Sequence, residues 1–182
     1  MTHSHDAPPR LRRIATWMCI VIPTVAALTT LMVVGVWLSP HYAASLLVPR
    51  LGLAGLPTSL DLSTRIAGLF VSAVPVFVLL YALHQSYKLF DAFRHGDAIT
   101  SNAALCLRRI GLSMIVIAAL RPIIGAILSL LLTLANPPGG RHIVIGISSD
   151  DYMIATFAGL VIAIGYVMTE AARLAEDNKQ IV

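Results

Sequence analysis

Residues 110–135 read IGLSMIVIAALRPIIGAILSLLLTLA, an apolar run broken by a single charge, Arg121. A helix rises about 1.5 Å per residue, so this run reaches about 39 Å, enough to cross a hydrocarbon core of about 30 Å. Three further runs have the same character: Ile14 to Leu38, Ile66 to Tyr87 and Tyr152 to Thr169. Of the 182 residues, 57% are hydrophobic and 12% charged, and a soluble domain of that balance would be coated in apolar surface. The solvent is therefore lipid. The expected fold is one all-α integral membrane domain over residues 1–182, with four transmembrane helices and polar tails at 1–13 and 170–182.

Basic residues orient the chain. Arg10, Arg12 and Arg13 precede the first run, Lys88, Arg94, Arg108 and Arg109 lie between the second and third, and Arg173 and Lys179 follow the fourth. The two other loops hold Arg50, Arg65 and Arg141. Positive charge stays on the cytoplasmic face, which predicts that both termini and the middle loop are inside. The first run is longer than the core of about 7 to 15 apolar residues in a signal peptide, so it reads as a retained helix. Cys19 and Cys106 then face a reducing compartment, and no disulfide is expected.

Leu11-Arg12-Arg13-Ile14 recurs as Leu107-Arg108-Arg109-Ile110, and Tyr81, Lys88, Leu89 and Asp91 align with Tyr166, Arg173, Leu174 and Glu176 at a constant offset. The echoes fit two tandem helical hairpins related by an axis along the membrane normal, or a coincidence between basic-flanked apolar helices. Outside the membrane, Ser59 to Ser63 and Ile143 to Ile147 alternate with period two, which predicts a small two-strand element. Ser149 or Asp150 is the expected cap of the fourth helix. Prolines and glycines break up the first outer loop, leaving Tyr42 to Val48 to lie in the interface. In the middle loop, Gly96 ends one helix and Thr100 or Ser101 caps the next.

Arg121 is the one ionisable residue deep in an apolar run. Insertion scales charge about 2.5–3.5 kcal/mol for a central Arg, against a return of about 0.3–0.6 kcal/mol for each Leu, Ile or Val, so the helix still inserts. Gly111, Ala118 and Gly125 repeat every seven residues beside Met114, Arg121 and Leu128, which points the guanidinium toward a closely packed face. No Asp or Glu occupies the central part of any run, so Arg121 is expected to lack an internal acid. Carbonyls freed by Pro23, Pro75 and Pro122, and hydroxyls such as Thr24 and Ser72, are the expected substitutes. The arrangement allows three roles: an Arg pinning kinked helices, an anion or lipid-headgroup site, or a charge met by an acid on a partner's helix.

In the fourth run, Ala155, Gly159 and Ala163 form a small-residue stripe suited to internal packing or dimerisation. Beyond it, Glu170, Arg173 and Asp177 have helical pair spacing, and the chain ends on Ile181-Val182, an apolar pair a partner groove can grip. His3, His5 and Asp6 belong to an expected disordered tail. The chain has no HExxH pair, GxSxG elbow, phosphate loop or pair of carboxylates at membrane depth, so no enzyme, cofactor or metal is expected. The basic residues are topological rather than interleaved with aromatics, which argues against nucleic-acid binding.

Gly96-Asp97-Ala98-Ile99-Thr100-Ser101-Asn102 with Leu107-Arg108-Arg109-Ile110-Gly111, and the ending Glu170, Leu174, Glu176, Asp177, Asn178, Ile181 and Val182, resemble the inner loop and closing motif of the bacterial membrane family catalogued as domain of unknown function 2975. The family has a Thr before its last aliphatic residues, where this chain has Lys179-Gln180. The resemblance implies a four-helix bacterial inner-membrane protein with no catalytic residues to carry over and a regulatory partner at the cytoplasmic face. Two functions are expected. One is a non-enzymatic module whose Arg108, Arg109, Glu170, Arg173, Asp177 and Val182 contact a cytoplasmic regulatory protein. The other is a homo-oligomeric transporter or channel subunit with an anion or lipid site at Arg121, Thr24 and Ser72.

Overall fold

The computed structural model describes residues 9–96, 100–137 and 139–179. Four long helices carry the fold: α1 (Pro9–Leu38), α2 (Leu62–Arg94), α3 (Ser101–Thr133) and α4 (Ser149–Lys179). All four are long and apolar enough to cross a bilayer, as in a multi-pass membrane protein. At 30 to 33 residues each, they exceed the roughly 20 residues that a hydrocarbon core requires. Pro23, Pro75 and Pro122 sit inside α1, α2 and α3 without ending them. Leu31, Phe70, Phe77 and Val167 are among many large apolar side chains left exposed, as expected where lipid replaces water.

The chain divides into two compact units. The terminal unit takes the described residues within Met1–Ala26, Leu79–Val116 and Met153–Val182, and the loop unit takes Ala27–Val78 and Ile117–Tyr152.

In the terminal unit, α3 and α4 meet through small residues. A Cβ on Gly111 would lie 2.9 Å from the Ala158 carbonyl oxygen and 2.6 Å from Ile162 Cγ1. One on Gly165 would lie 3.2 Å from the Arg108 nitrogen and 3.4 Å from the Ala104 carbonyl oxygen. Ala104 and Ala158 are fully buried at this contact. The expected stripe of Ala155, Gly159 and Ala163 does not pack inside the chain; all three are exposed, and the contact runs instead through Ala158, Ile162 and Gly165. Valine at Gly111 or Gly165 should therefore force the helices apart, destabilising by about 1–3 kcal/mol, whereas valine at Gly159 meets open space. Thermal unfolding of the three variants in detergent checks this ranking. Equal midpoints would place the close contact elsewhere.

The middle loop follows its local signals. Gly96, with φ +91°, takes a left-handed conformation after α2, and Thr100 Oγ1 accepts the Ala103 N–H at 3.2 Å to cap α3. Asp97, Ala98 and Ile99 lie outside the described residues, as do His3, His5, Asp6 and Val182.

The loop unit is built on a seam between the end of α1 and the start of α2. Trp37 is 4% exposed and donates from Nε1 to Ser72 Oγ at 3.1 Å. Its ring lies against Gly68, where an added Cβ would overlap it. Arg65 donates from Nε to the Trp37 carbonyl at 2.8 Å and from Nη2 to the Leu38 carbonyl, satisfying oxygens that the end of a helix leaves without partners. Asp61 precedes α2 and accepts the hydroxyls of Ser63 and of Thr64, the latter at 2.7 Å. Those bonds, Ser63 first, hold the Asp61 carboxyl below its ordinary range. A group whose folded value is depressed stabilises above its unfolded value, and that stability is lost as pH falls through the folded one. Asp61→Asn should accordingly flatten the acid limb of a stability-versus-pH curve, a small effect at this exposed position; an unaltered limb would mean that the cap contributes nothing.

After α1 the chain stays helical through Pro40–Tyr42, a π-helical stretch Ala43–Leu47 and Val48–Arg50, so the segment expected to lie in the interface is a short helix. The expected two-strand element is absent. Among the described residues there are no strands, because both candidate segments spend their hydrogen bonds on α3. The Ser59 N–H donates to the Leu132 carbonyl at 2.9 Å, the Val144 N–H to Ser129 Oγ at 2.9 Å and the His142 N–H to Thr133 Oγ1 at 3.0 Å. Ser129 and Thr133 are fully buried, one turn apart, and act as paired acceptors for the extended chain. Ile143, Ile145 and Ile147 are exposed and Val144 is half-buried, but Gly146 is exposed too, so the alternation does not run the length of the segment.

Candidate functional site

Because residues 142–148 run back along α3 instead of standing off it, α4 begins deep beside that helix. Its cap is Ser148, one residue before the expected Ser149 or Asp150. The Ser148 N–H and hydroxyl both donate to Asp151 Oδ2, at 2.8 and 3.0 Å, and the Asp151 N–H returns a bond to the Ser148 carbonyl at 3.0 Å. This is the reciprocal half of a capping box, with the acid three residues into the pattern Ser148-Ser149-Asp150-Asp151.

The other carboxylate oxygen of Asp151 faces Arg121. Oδ1 lies 2.9 Å from Arg121 Nη1, close enough for an ion pair, and takes no aligned hydrogen bond. The expectation that Arg121 lacks an internal acid is thus corrected. Its partner sits just before the fourth apolar run, and the returning segment brings that residue alongside α3, twelve residues before Thr133. At about 1.5 Å per residue the pair lies about 18 Å down α3 from its end.

The pair is asymmetric in exposure: the Asp151 side chain is 8% exposed and that of Arg121 42%. Arg121 opens onto a cavity of about 350 Å³ whose walls include Arg50, Leu51, Pro75, Gly125, Val144 and Ser148. Arg50 comes from the last turn of the short helix Val48–Arg50, so two arginines and one aspartate line the same space. Chemically, this is a positively biased cleft in which one arginine is partly committed.

The companions expected for Arg121 are engaged elsewhere. Thr24 Oγ1 donates to its own helix at the Ile20 carbonyl, 2.9 Å, and Ser72 Oγ accepts Trp37. Pro75, by contrast, does line the cavity. In the terminal unit, the Arg108 guanidinium lies 4.1 Å from the Tyr166 ring centroid and donates from Nη2 to the Tyr166 hydroxyl at 3.1 Å. Arg109 borders a separate cavity with Gln85 and Lys88. Glu170, Arg173 and Asp177 are exposed on α4, and no ion pair forms among them. Asp151 and Arg50 are not among the site residues that the sequence suggests. The S-x-x-D pattern at Ser148 carries the signal for Asp151, since a side chain reaching back to a cap must lie at the helix start.

No curated protein and no solved structure matches the chain. The family model described as "Protein of unknown function (DUF2975)" matches residues 37–182, more than half of the sequence, and the chain belongs to that family.

Proposed function

We propose that the protein is a non-enzymatic regulatory module of a bacterial inner membrane, with both termini cytoplasmic, that senses a small anion in the loop unit and signals through α4 to a cytoplasmic protein. The observation that carries this reading is the divided guanidinium of Arg121, held by Asp151 on one side and open to the Arg50 cavity on the other. A carboxylate or phosphate entering the cavity finds two arginines for its oxygens and competes with Asp151 for one of them. Asp151 also closes the cap, so drawing Arg121 away perturbs the start of α4. One unbroken helix joins that residue to the exposed charges Glu170, Arg173 and Asp177, which are unpaired with one another and available to a partner.

Titrating detergent-purified protein with acetate and with phosphate while following thermal unfolding tests the sensing step. The expected result is a rise in midpoint that Arg50→Gln and Arg121→Leu both abolish, and an anion response identical in all three proteins would contradict it. Pull-down from native membranes tests the second step: deleting residues 170–182 should lose a cytoplasmic partner while leaving insertion intact. Anion flux in liposomes that depends on Arg121 would instead assign the cavity to an oligomeric transporter or channel subunit.

A further inference from the structure

A second cavity is lined wholly by residues of the terminal unit and shares none with the proposed sensing site. On α2, Gln85, Lys88 and Ala92 are spaced by three and four residues and so share a face; on α3, Asn102, Cys106 and Arg109 do the same. These residues enclose about 330 Å³. Gln85 is 3% exposed, and its Oε1 has no hydrogen-bond partner. Buried side-chain acceptors are ordinarily satisfied, so this oxygen points to a donor from outside the chain. Lys88 and Arg109 border the same space, and neither forms an ion pair among the described residues. Two uncompensated cations and one acceptor without a donor select a ligand with negative charge at one end and an O–H at the other.

We propose that this cavity binds a phosphate ester bearing a hydroxyl group, with Lys88 and Arg109 on the phosphate oxygens and Gln85 Oε1 accepting the hydroxyl. Asn102 supplies an amide at the rim, close to the first residue of α3. Lys88 and Arg109 belong to the basic middle loop expected at the cytoplasmic face, which makes the headgroup of a hydroxyl-bearing anionic lipid one source and a soluble glycerol phosphate the other.

Native mass spectrometry of the full-length protein in detergent separates these. Phosphatidylglycerol should be retained at least about tenfold better than phosphatidylmethanol, which has the same charge and no hydroxyl, and better still than phosphatidylcholine. Lys88→Gln with Arg109→Gln, at exposed positions that leave packing intact, should reduce phosphatidylglycerol retention about tenfold or more. Gln85→Leu should keep phosphate binding and erase the preference over phosphatidylmethanol. Displacement by glycerol 3-phosphate assigns the site to a soluble ester, and resistance to displacement assigns it to lipid. Equal retention of phosphatidylglycerol by wild type and the Lys88/Arg109 double variant, or no preference among the three lipids, would overturn the proposal. None of these readouts involves Arg121, so failure here is distinct from failure of the sensing role.

Discussion

Alanine at Gly68 is expected to unseat Trp37 and destabilise the protein by about 1–3 kcal/mol, even though alanine is the better helix former by about 1 kcal/mol. The reason is geometric. A Cβ at Gly68 would overlap the Trp37 ring, with Cζ2 at 2.6 Å, and the ring is held at its far end by the bond to Ser72. The same residue's carbonyl is held by Arg65, so the ring cannot retreat without loosening the end of α1. Trp37→Ala should cost more, about 3–5 kcal/mol by analogy with other buried aromatics, because it empties the seam. Fluorescence offers a direct measurement. Trp17 is exposed and Trp37 buried, so in a Trp17→Phe background the remaining emission reports the seam alone. Gly68→Ala should shift that emission and lower the unfolding midpoint. An unchanged spectrum and midpoint would show that the ring does not rest on the glycine.

Arg121→Leu is expected to destabilise by about 2–3 kcal/mol, despite exchanging a charge for an apolar side chain in an apolar helix. Alone on an inert helix, the exchange would favour membrane insertion. Here it strands Asp151, whose side chain is 8% exposed, with no cation opposite its Oδ1. Breaking a fully buried pair costs about 3–5 kcal/mol, and the 42% exposure of the Arg121 side chain reduces the expectation. Asp151→Asn should cost less than Asp151→Ala, because the amide keeps an oxygen for the Ser148 N–H while alanine loses the cap as well. Detergent unfolding curves of the three variants give the order directly. A stabilised Arg121→Leu protein would mean that the ion pair contributes nothing to the fold.

Much of the fold is legible in the chain because lipid demands a long uninterrupted apolar helix, and four such runs are unmistakable. The helix ends at Gly96 and Thr100 follow from backbone freedom and from a hydroxyl at the cap position, which are local properties. Helix faces are a different matter. A helix that is apolar all round has no polar stripe to set its phase, so spacing alone chose Ala155, Gly159 and Ala163 where the contact uses Ala158 and Gly165. Period-two alternation at Ile143 to Ile147 suggests a strand where the segment instead bonds to α3, since Ser129 and Thr133 look like ordinary hydroxyls within an apolar helix. The site shows the same division. Arg121 stands out as a lone charge, whereas Asp151 and Arg50 lie outside the apolar runs and reach it only through the path of the segments that join the long helices.

The decisive measurement is a double-mutant cycle between Arg121 and Asp151, using Arg121→Leu, Asp151→Asn and the double variant, run with and without phosphate. A coupling of about 1–3 kcal/mol is expected without the anion, falling as phosphate takes over the guanidinium. Additive effects of the two substitutions, or a coupling that phosphate leaves untouched, would contradict a guanidinium shared between the helix cap and a ligand.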